Sequence, residues 1–213
     1  MILPEPPILI ITDRTQCPEM LEKRAAALFK GGCRWLSLRE KDLAPDSRLA
    51  LLGRLIEIGR KFGATVGVHH DLAAALACGA ALHLPALSDV GEARRLLGDA
   101  ALIGKSCHDR AEIAIAQADG ADYATLSPIF VSDSKPGYRP ISNSEISAAI
   151  AAGAALPVLA LGGITQVTLP LLSGAGFSGV AIMGDAMIAP DPEGWFRSIL
   201  EGWARLNPAP IKP

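Results

Sequence analysis

The chain has 213 residues, half of them apolar, and a formal net charge of −2 with acids and bases interspersed, enough apolar content for one sizeable core. The balanced charge leaves no basic stripe for neutralising phosphates, which argues against nucleic acid as a partner, and no window reaches the about 18 apolar residues of a membrane span. Four scattered cysteines without CxxC spacing (Cys17, Cys33, Cys78, Cys107) indicate neither a disulfide framework nor a cysteine zinc site.

The opening "MILPEPPILIITD" has no basic leader ahead of a longer apolar core, so an unexported chain in a reducing cytoplasm is expected. From there, strand-length apolar runs recur in order: "ILIIT" (Ile8 to Thr12), "CRWLSL" (Cys33 to Leu38), "TVGVH" (Thr65 to His69) and "ALHL" (Ala81 to Leu84). They continue with "ALIGK" (Ala101 to Lys105), "DYATLS" (Asp122 to Ser127), "PVLALG" (Pro157 to Gly162) and "GVAIM" (Gly179 to Met183). Helix-length amphipathic segments separate them. Short, uniformly apolar strands divided by helices predict a buried parallel sheet. Eight such units predict a single α/β domain, a (β/α)₈ TIM barrel over residues 1–206, with a doubly wound open sheet as the alternative arrangement. The proline-rich "NPAPIKP" at 207–213 reads as a frayed tail.

A barrel of this kind carries its chemistry on the loops after the strands' C-terminal ends. The "LGGIT" and "GVAIMGDA" turns after the seventh and eighth strands read as a phosphate cradle, or else as plain turn glycines. "SLREKD" offers Arg39 and Lys41, a guanidinium fork and a point charge able to hold a diphosphate, and Lys135 in "SPIFVSDSKPGY" adds a third cation. In "VHHD", His69, His70 and Asp71 read either as metal ligands or as hydrogen-bonding groups; adjacent strand residues point to opposite faces, so no more than two share an ion readily. His108, after "GKSC", is placed for acid–base work or serves as a surface or capping residue.

"IITD", "LREKD", "GAALHL", "IGKSCHD", "GADYATLSPIFVSDSKPGY" and "VLALGGIT…GVAIM" together resemble the thiamine phosphate synthase/TenI family, in the order of its motifs. The resemblance implies the (β/α)₈ barrel and a condensation of hydroxymethylpyrimidine diphosphate with thiazole phosphate, with Mg²⁺, releasing diphosphate. It implies Arg39, Lys41 and Lys135 on the diphosphate and Ser106 near the pyrimidine. Ser132 and Ser134 would lie near the thiazole phosphate, with Gly163, Met183 and Gly184 in its cradle. Ser37 stands where the family has a glutamine and is counted with the substrate-binding residues.

The chain also departs from the pattern. His69-His70 replaces the family's Asn-Asp pair, and Ser88 takes the position of a second metal aspartate, which leaves Asp71 and Asp89 as the candidate Mg²⁺ ligands. The alternative within the family is a TenI-type thiazole tautomerase, an isomerase that needs no cofactor and would use His108 as its acid–base residue. A non-catalytic thiazole-phosphate-binding protein is the third reading. The expected partners are small phosphorylated molecules. No residue argues for an oligomer, and a symmetric homodimer is the default assembly.

Overall fold

The computed structural model describes residues 2–131, 137 and 139–207. Its strands are β1 (Ile8–Ile11), β2 (Trp35–Leu38), β3 (Thr65–His69), β4 (Ala81–Leu84), β5 (Ile103–Cys107), β6 (Tyr123–Leu126), β7 (Val158–Leu161) and β8 (Gly179–Ile182). All pair in parallel with their sequence neighbours, and β8 returns to β1. That closing pair excludes the open-sheet alternative and makes the fold the expected (β/α)₈ barrel. The helices are α1 (Leu21–Lys30), α2 (Pro45–Arg60), α3 (Leu72–Cys78), α4 (Val90–Leu97), α5 (Arg110–Ala118), α6 (Asn143–Ala152), α7 (Gly184–Ile188) and α8 (Pro192–Leu206).

Strand alternation divides the apolar residues into two cores. Ile8 and Ile10 face outward into the layer between barrel and helices, where Leu21, Ala25, Leu28 and Phe29 of α1 and Trp195, Phe196, Ile199 and Trp203 of α8 also pack. The i, i+3, i+4 spacing of those helical residues produces the apolar stripe that holds each helix down. Leu9 and Ile11 face inward with Trp35, Leu102, Tyr123, Leu159 and Ala181. Trp35 and Tyr123 meet edge to face, with ring centroids 4.7 Å apart, and close the floor of the barrel. Two glycines make room there. A Cβ on Gly104 would lie 2.0 Å from the Tyr123 ring, and one on Gly67 would lie 2.8 Å from the Ala81 carbonyl oxygen.

Most helices entered from the rim start on an oxygen cap. Asp71, Asp89, Asp109 and Asp191 each accept a hydrogen bond from the backbone N–H three residues on, and Ser142 forms a reciprocal capping box with Glu145. Such caps satisfy N–H groups that the first helical turn leaves unpaired, each worth about 1 kcal/mol.

Two expectations shift in detail. β5 runs from Ile103 to Cys107, two residues later than read from the sequence, because Gly98 ends α4 at φ +79° and the chain spends 99–101 in a turn. A shift of two keeps the facing of every side chain, so Ser106 still points inward, now from within the strand. After β7 a short 3₁₀ turn, Leu169–Leu172, replaces a full helix. Thr165 and Thr168 bond the local backbone there, and glycines 174 and 176 hold positive φ soon after. At the far end Asn207 caps α8 through two bonds to the Trp203 carbonyl; the rest of the expected tail, residues 208–213, lies outside the described ones. No described helix is long and apolar enough to cross a membrane.

Candidate active site

At the rim, the loop after β2 is clamped to the loop after β1. Glu40, 2% exposed, accepts from Thr12 Oγ1 at 2.6 Å and from the Arg14 backbone N–H at 3.1 Å. Burial raises its carboxyl pKa, and the negative charge of Asp13 adds to that, outweighing the hydrogen bonds from Thr12 and Arg14. Thr12 Oγ1 in turn accepts from the backbone N–H of Arg39 at 2.9 Å. The Arg39 side chain, fixed at its root, passes over β1 to place Nη1 3.7 Å from the Met183 sulfur at the end of β8. Two residues assigned to opposite halves of the site are thus in contact. Lys41 is exposed on the same loop, and His70, in the left-handed region at φ +63°, stands close enough to both cations for their charges, after partial burial, to lower its pKa.

Below the rim lies a buried polar layer. Ser37 Oγ is 2.7 Å from His69 Nδ1, and the His69 ring stacks on His83 with centroids 4.4 Å apart. His83 Nδ1 is 3.0 Å from the Tyr123 hydroxyl, and its Nε2 is 2.9 Å from Ser106 Oγ. Ser37 and Ser106, far apart in sequence, are therefore joined by two imidazoles. Burial pushes His83 down to about 3, with His70 contributing, and holds His69 well below the ordinary histidine range, with the neighbouring His83 next in effect. Of the two readings of His69, the hydrogen-bonding one describes its contacts. Thr125 Oγ1, fully buried on β6, has no partner among the described residues. Glu40 and His83 stand among the polar residues that the sequence puts at strand ends, whereas Tyr123 was not singled out; the i, i+2 alternation turns His83 and Tyr123 inward.

The glycine turns behave differently from one another. Gly162 and Gly163 hold positive φ, and a Cβ on Gly163 would lie 2.4 Å from the Val131 carbonyl oxygen, so these glycines admit the chain leaving β6. Ile129 and Phe130 N–H groups complete the fit by bonding the Leu161 and Gly162 carbonyls at 3.0 Å. Gly184 opens α7 beside the Gln16 side chain. That short helix is tied down from behind: buried Arg24 donates to the Ala189 carbonyl at 2.5 Å, and the Trp195 indole N–H donates to Asp185 at 3.0 Å.

His108 is exposed beyond β5, with Nδ1 2.8 Å from the Ser127 carbonyl oxygen. A carbonyl only accepts, so Nδ1 carries the proton and Nε2 is left as an acceptor. Ser132, Ser134 and Lys135 lie outside the described residues, while Gly137 next to them has φ +85°, as its turn requires.

The two aspartates considered for Mg²⁺ have other occupations. Asp71 uses one oxygen for the Ala74 N–H and the other for Arg48 Nε at 2.6 Å, and Asp89 caps α4 from an exposed position. Among the described residues no group of three or more His, Cys, Asp or Glu could hold a metal ion. Hard oxygen donors already engaged in this way do not fit a preformed Mg²⁺ cage. Burial raises the Asp71 pKa, but the Ala74 and Arg48 hydrogen bonds outweigh it and hold the carboxyl below its usual value. Its contribution to stability is therefore present above the ordinary carboxylate range and fades as pH falls through the depressed value. Asp71→Asn should cost about 1–2 kcal/mol near neutrality and flatten the acid limb of a urea-midpoint series. An unchanged midpoint with a raised Mg²⁺ requirement would instead return Asp71 to a metal role.

The family model described as thiamine monophosphate synthase matches residues 8–186. A Geobacter sulfurreducens chain that carries the thiamine-phosphate synthase name only provisionally is 37% identical, over 91% of this chain and 92% of its own. The thiamine-phosphate synthase of Bacteroides fragilis strain NCTC 9343 is 32% identical over 85% and 92%. The bifunctional ThiM/ThiE protein of Symbiobacterium thermophilum is 35% identical, and the match spans 38% of that longer protein. Among solved structures, thiamine phosphate pyrophosphorylase from Pyrococcus furiosus superposes with a TM-score of 0.84 at 22% identity, covering 94% of this chain and 96% of that one, a likeness of fold. On the match to the family model and the near full-length identity to its relatives, this chain belongs to the thiamine monophosphate synthase family.

Proposed function

We propose that the protein is a thiamine phosphate synthase, joining a pyrimidine activated as its diphosphate to a thiazole phosphate. The observation that carries this reading is the contact of Arg39 with Met183: it sets the diphosphate cation against the end of β8, where the phosphate turn begins, so that two anionic substrates would meet at one rim. Relatives named for that activity over nearly the whole chain support it.

In this reaction the bond between the pyrimidine methylene carbon and the diphosphate oxygen breaks, its electrons leaving with the oxygen. The thiazole nitrogen lone pair forms the new carbon–nitrogen bond, and no proton need move. The chain's task is then to hold the departing anion and to aim the nucleophile. Arg39 supplies a guanidinium fork suited to phosphate oxygens, Lys41 a point charge on the same loop, and Lys135 a further cation. Gly184 leaves room at the start of α7 for the thiazole phosphate, and Gly163, Ser132 and Ser134 are the further residues that the family likeness assigns to it.

The test is turnover of purified protein with hydroxymethylpyrimidine diphosphate and thiazole phosphate, with Mg²⁺ and then with EDTA. Thiamine phosphate should form, and Lys135→Ala should reduce kcat by about 100-fold or more with the fold intact by circular dichroism. Unchanged turnover in that variant would remove Lys135 from the diphosphate. A proton-moving isomerase reading is favoured by one observation, the bond of His108 Nδ1 to the Ser127 carbonyl, which leaves Nε2 as an acceptor. It takes over if folded protein binds thiazole phosphate yet makes no condensation product under either condition.

A further inference from the structure

Tyr123 is 2% exposed, and its hydroxyl has a single partner among the described residues, His83 Nδ1 at 3.0 Å. A phenol hydrogen buried without an acceptor costs about 1–3 kcal/mol, and Nδ1 is the acceptor within reach. The phenol therefore donates and Nδ1 accepts. A neutral imidazole has one N–H, so that hydrogen sits on Nε2, which donates to Ser106 Oγ at 2.9 Å. With its oxygen already accepting from the wall, Ser106 has its own O–H left to give. It is the partly exposed member of the series, on the inward face of β5 at the end that opens to the rim.

We infer that Tyr123 and His83 form a relay that fixes the polarity of Ser106, making its hydroxyl a hydrogen-bond donor to the substrate. A site so biased selects a lone pair, such as an aromatic ring nitrogen, and disfavours an amino group at the same place. Two neighbouring features keep the relay in one state. Burial keeps the His83 ring neutral, and the stacked His69 ring, tilted by 32°, covers one of its faces. Gly104 completes the arrangement, because its bare Cα is what lets the Tyr123 ring lie where its hydroxyl meets His83. Tyr123 and His83 are positioning residues in this scheme, and Ser106 is the residue that touches substrate.

The relay can be read without substrate. In ¹⁵N-histidine NMR of the unliganded protein, the resonance lost in His83→Gln should show an unprotonated Nδ1 and a protonated Nε2; the opposite tautomer overturns the inference. The kinetic arm rests on the proposed condensation. Tyr123→Phe and Ser106→Ala should each raise KM for the pyrimidine substrate by about tenfold, and the double variant should be no worse than Ser106→Ala alone. His83→Gln, whose amide can accept from the phenol and donate to Ser106, should recover activity that His83→Ala loses. Multiplicative effects of the Tyr123 and Ser106 changes, or equal losses in the two His83 variants, would sink the relay. If wild-type protein forms no thiamine phosphate, the condensation reading fails while the tautomer still decides the relay.

Discussion

Gly104→Ala should lower the stability of the protein by about 3 kcal/mol and its melting temperature by about 6–12 °C, a large effect for one added methyl group. The Cβ would fall 2.0 Å from the Tyr123 ring, with two further ring atoms at 2.3 and 2.5 Å. The ring cannot retreat easily, because Trp35 packs against it edge-on and its hydroxyl is committed to His83. Close-packed interiors answer such an insertion by moving backbone or forcing rotamers. Here either response also displaces Ser106 two residues along the strand, so turnover should fall more than the melting temperature alone explains. Thermal unfolding and kinetics at a temperature where the variant is fully folded would check both parts. A melting temperature within 2 °C of wild type would mean that the aromatic floor is looser than its geometry indicates.

Arg39→Ala should act in the opposite sense, with kcat/KM down by about 10²–10³ and stability changed by less than about 0.5 kcal/mol. The loop conformation rests on the Arg39 backbone N–H and the Glu40 carboxylate, neither of which needs the guanidinium. Among the described residues the guanidinium's hydrogen-bond partner is the Met183 sulfur, a weak acceptor. Arg39→Lys should recover part of the loss, since it keeps a charge but cannot grip two phosphate oxygens at once. Stopped assays with the pyrimidine diphosphate varied at fixed ionic strength would measure this. An Arg39→Ala variant with wild-type kcat/KM would remove the cation from the diphosphate.

The barrel was legible because its strands are short, apolar and evenly spaced, and because closure needs only that pattern continued eight times. The rim loops were legible for the same reason, since fold alone directs polar strand ends such as Arg39 and Ser106 to one face. The inner layer was harder to see. His83 and Tyr123 sit within apolar runs, and their partnership depends on barrel register, Gly104 pairing with both His83 and Tyr123 on its two sides, which no local stretch encodes. The aspartates carry a second signal beside the metal pattern. Asp71 and Asp89 look like oxygen donors when matched to a metal pattern, yet "SDVGE" is an N-cap followed three residues later by glutamate, a helix-start signature, and Asp89 accepts from that glutamate's N–H. For Asp71 the decisive partner was Arg48, 23 residues away, a distance at which spacing rules are silent.

The close seat of Gly163 beneath the Val131 carbonyl has a consequence for recombining this barrel with its relatives. Loops of such enzymes are often treated as interchangeable modules, each owned by one strand. Here the segment leaving β6 and the turn leaving β7 share hydrogen bonds at Ile129 and Phe130 and a gap that excludes any side chain at 163. They form one inherited part. A chimaera that takes the lysine-bearing loop from one parent and the glycine turn from another must match backbone to backbone across that seam, whereas exchanging both together carries the fit along intact.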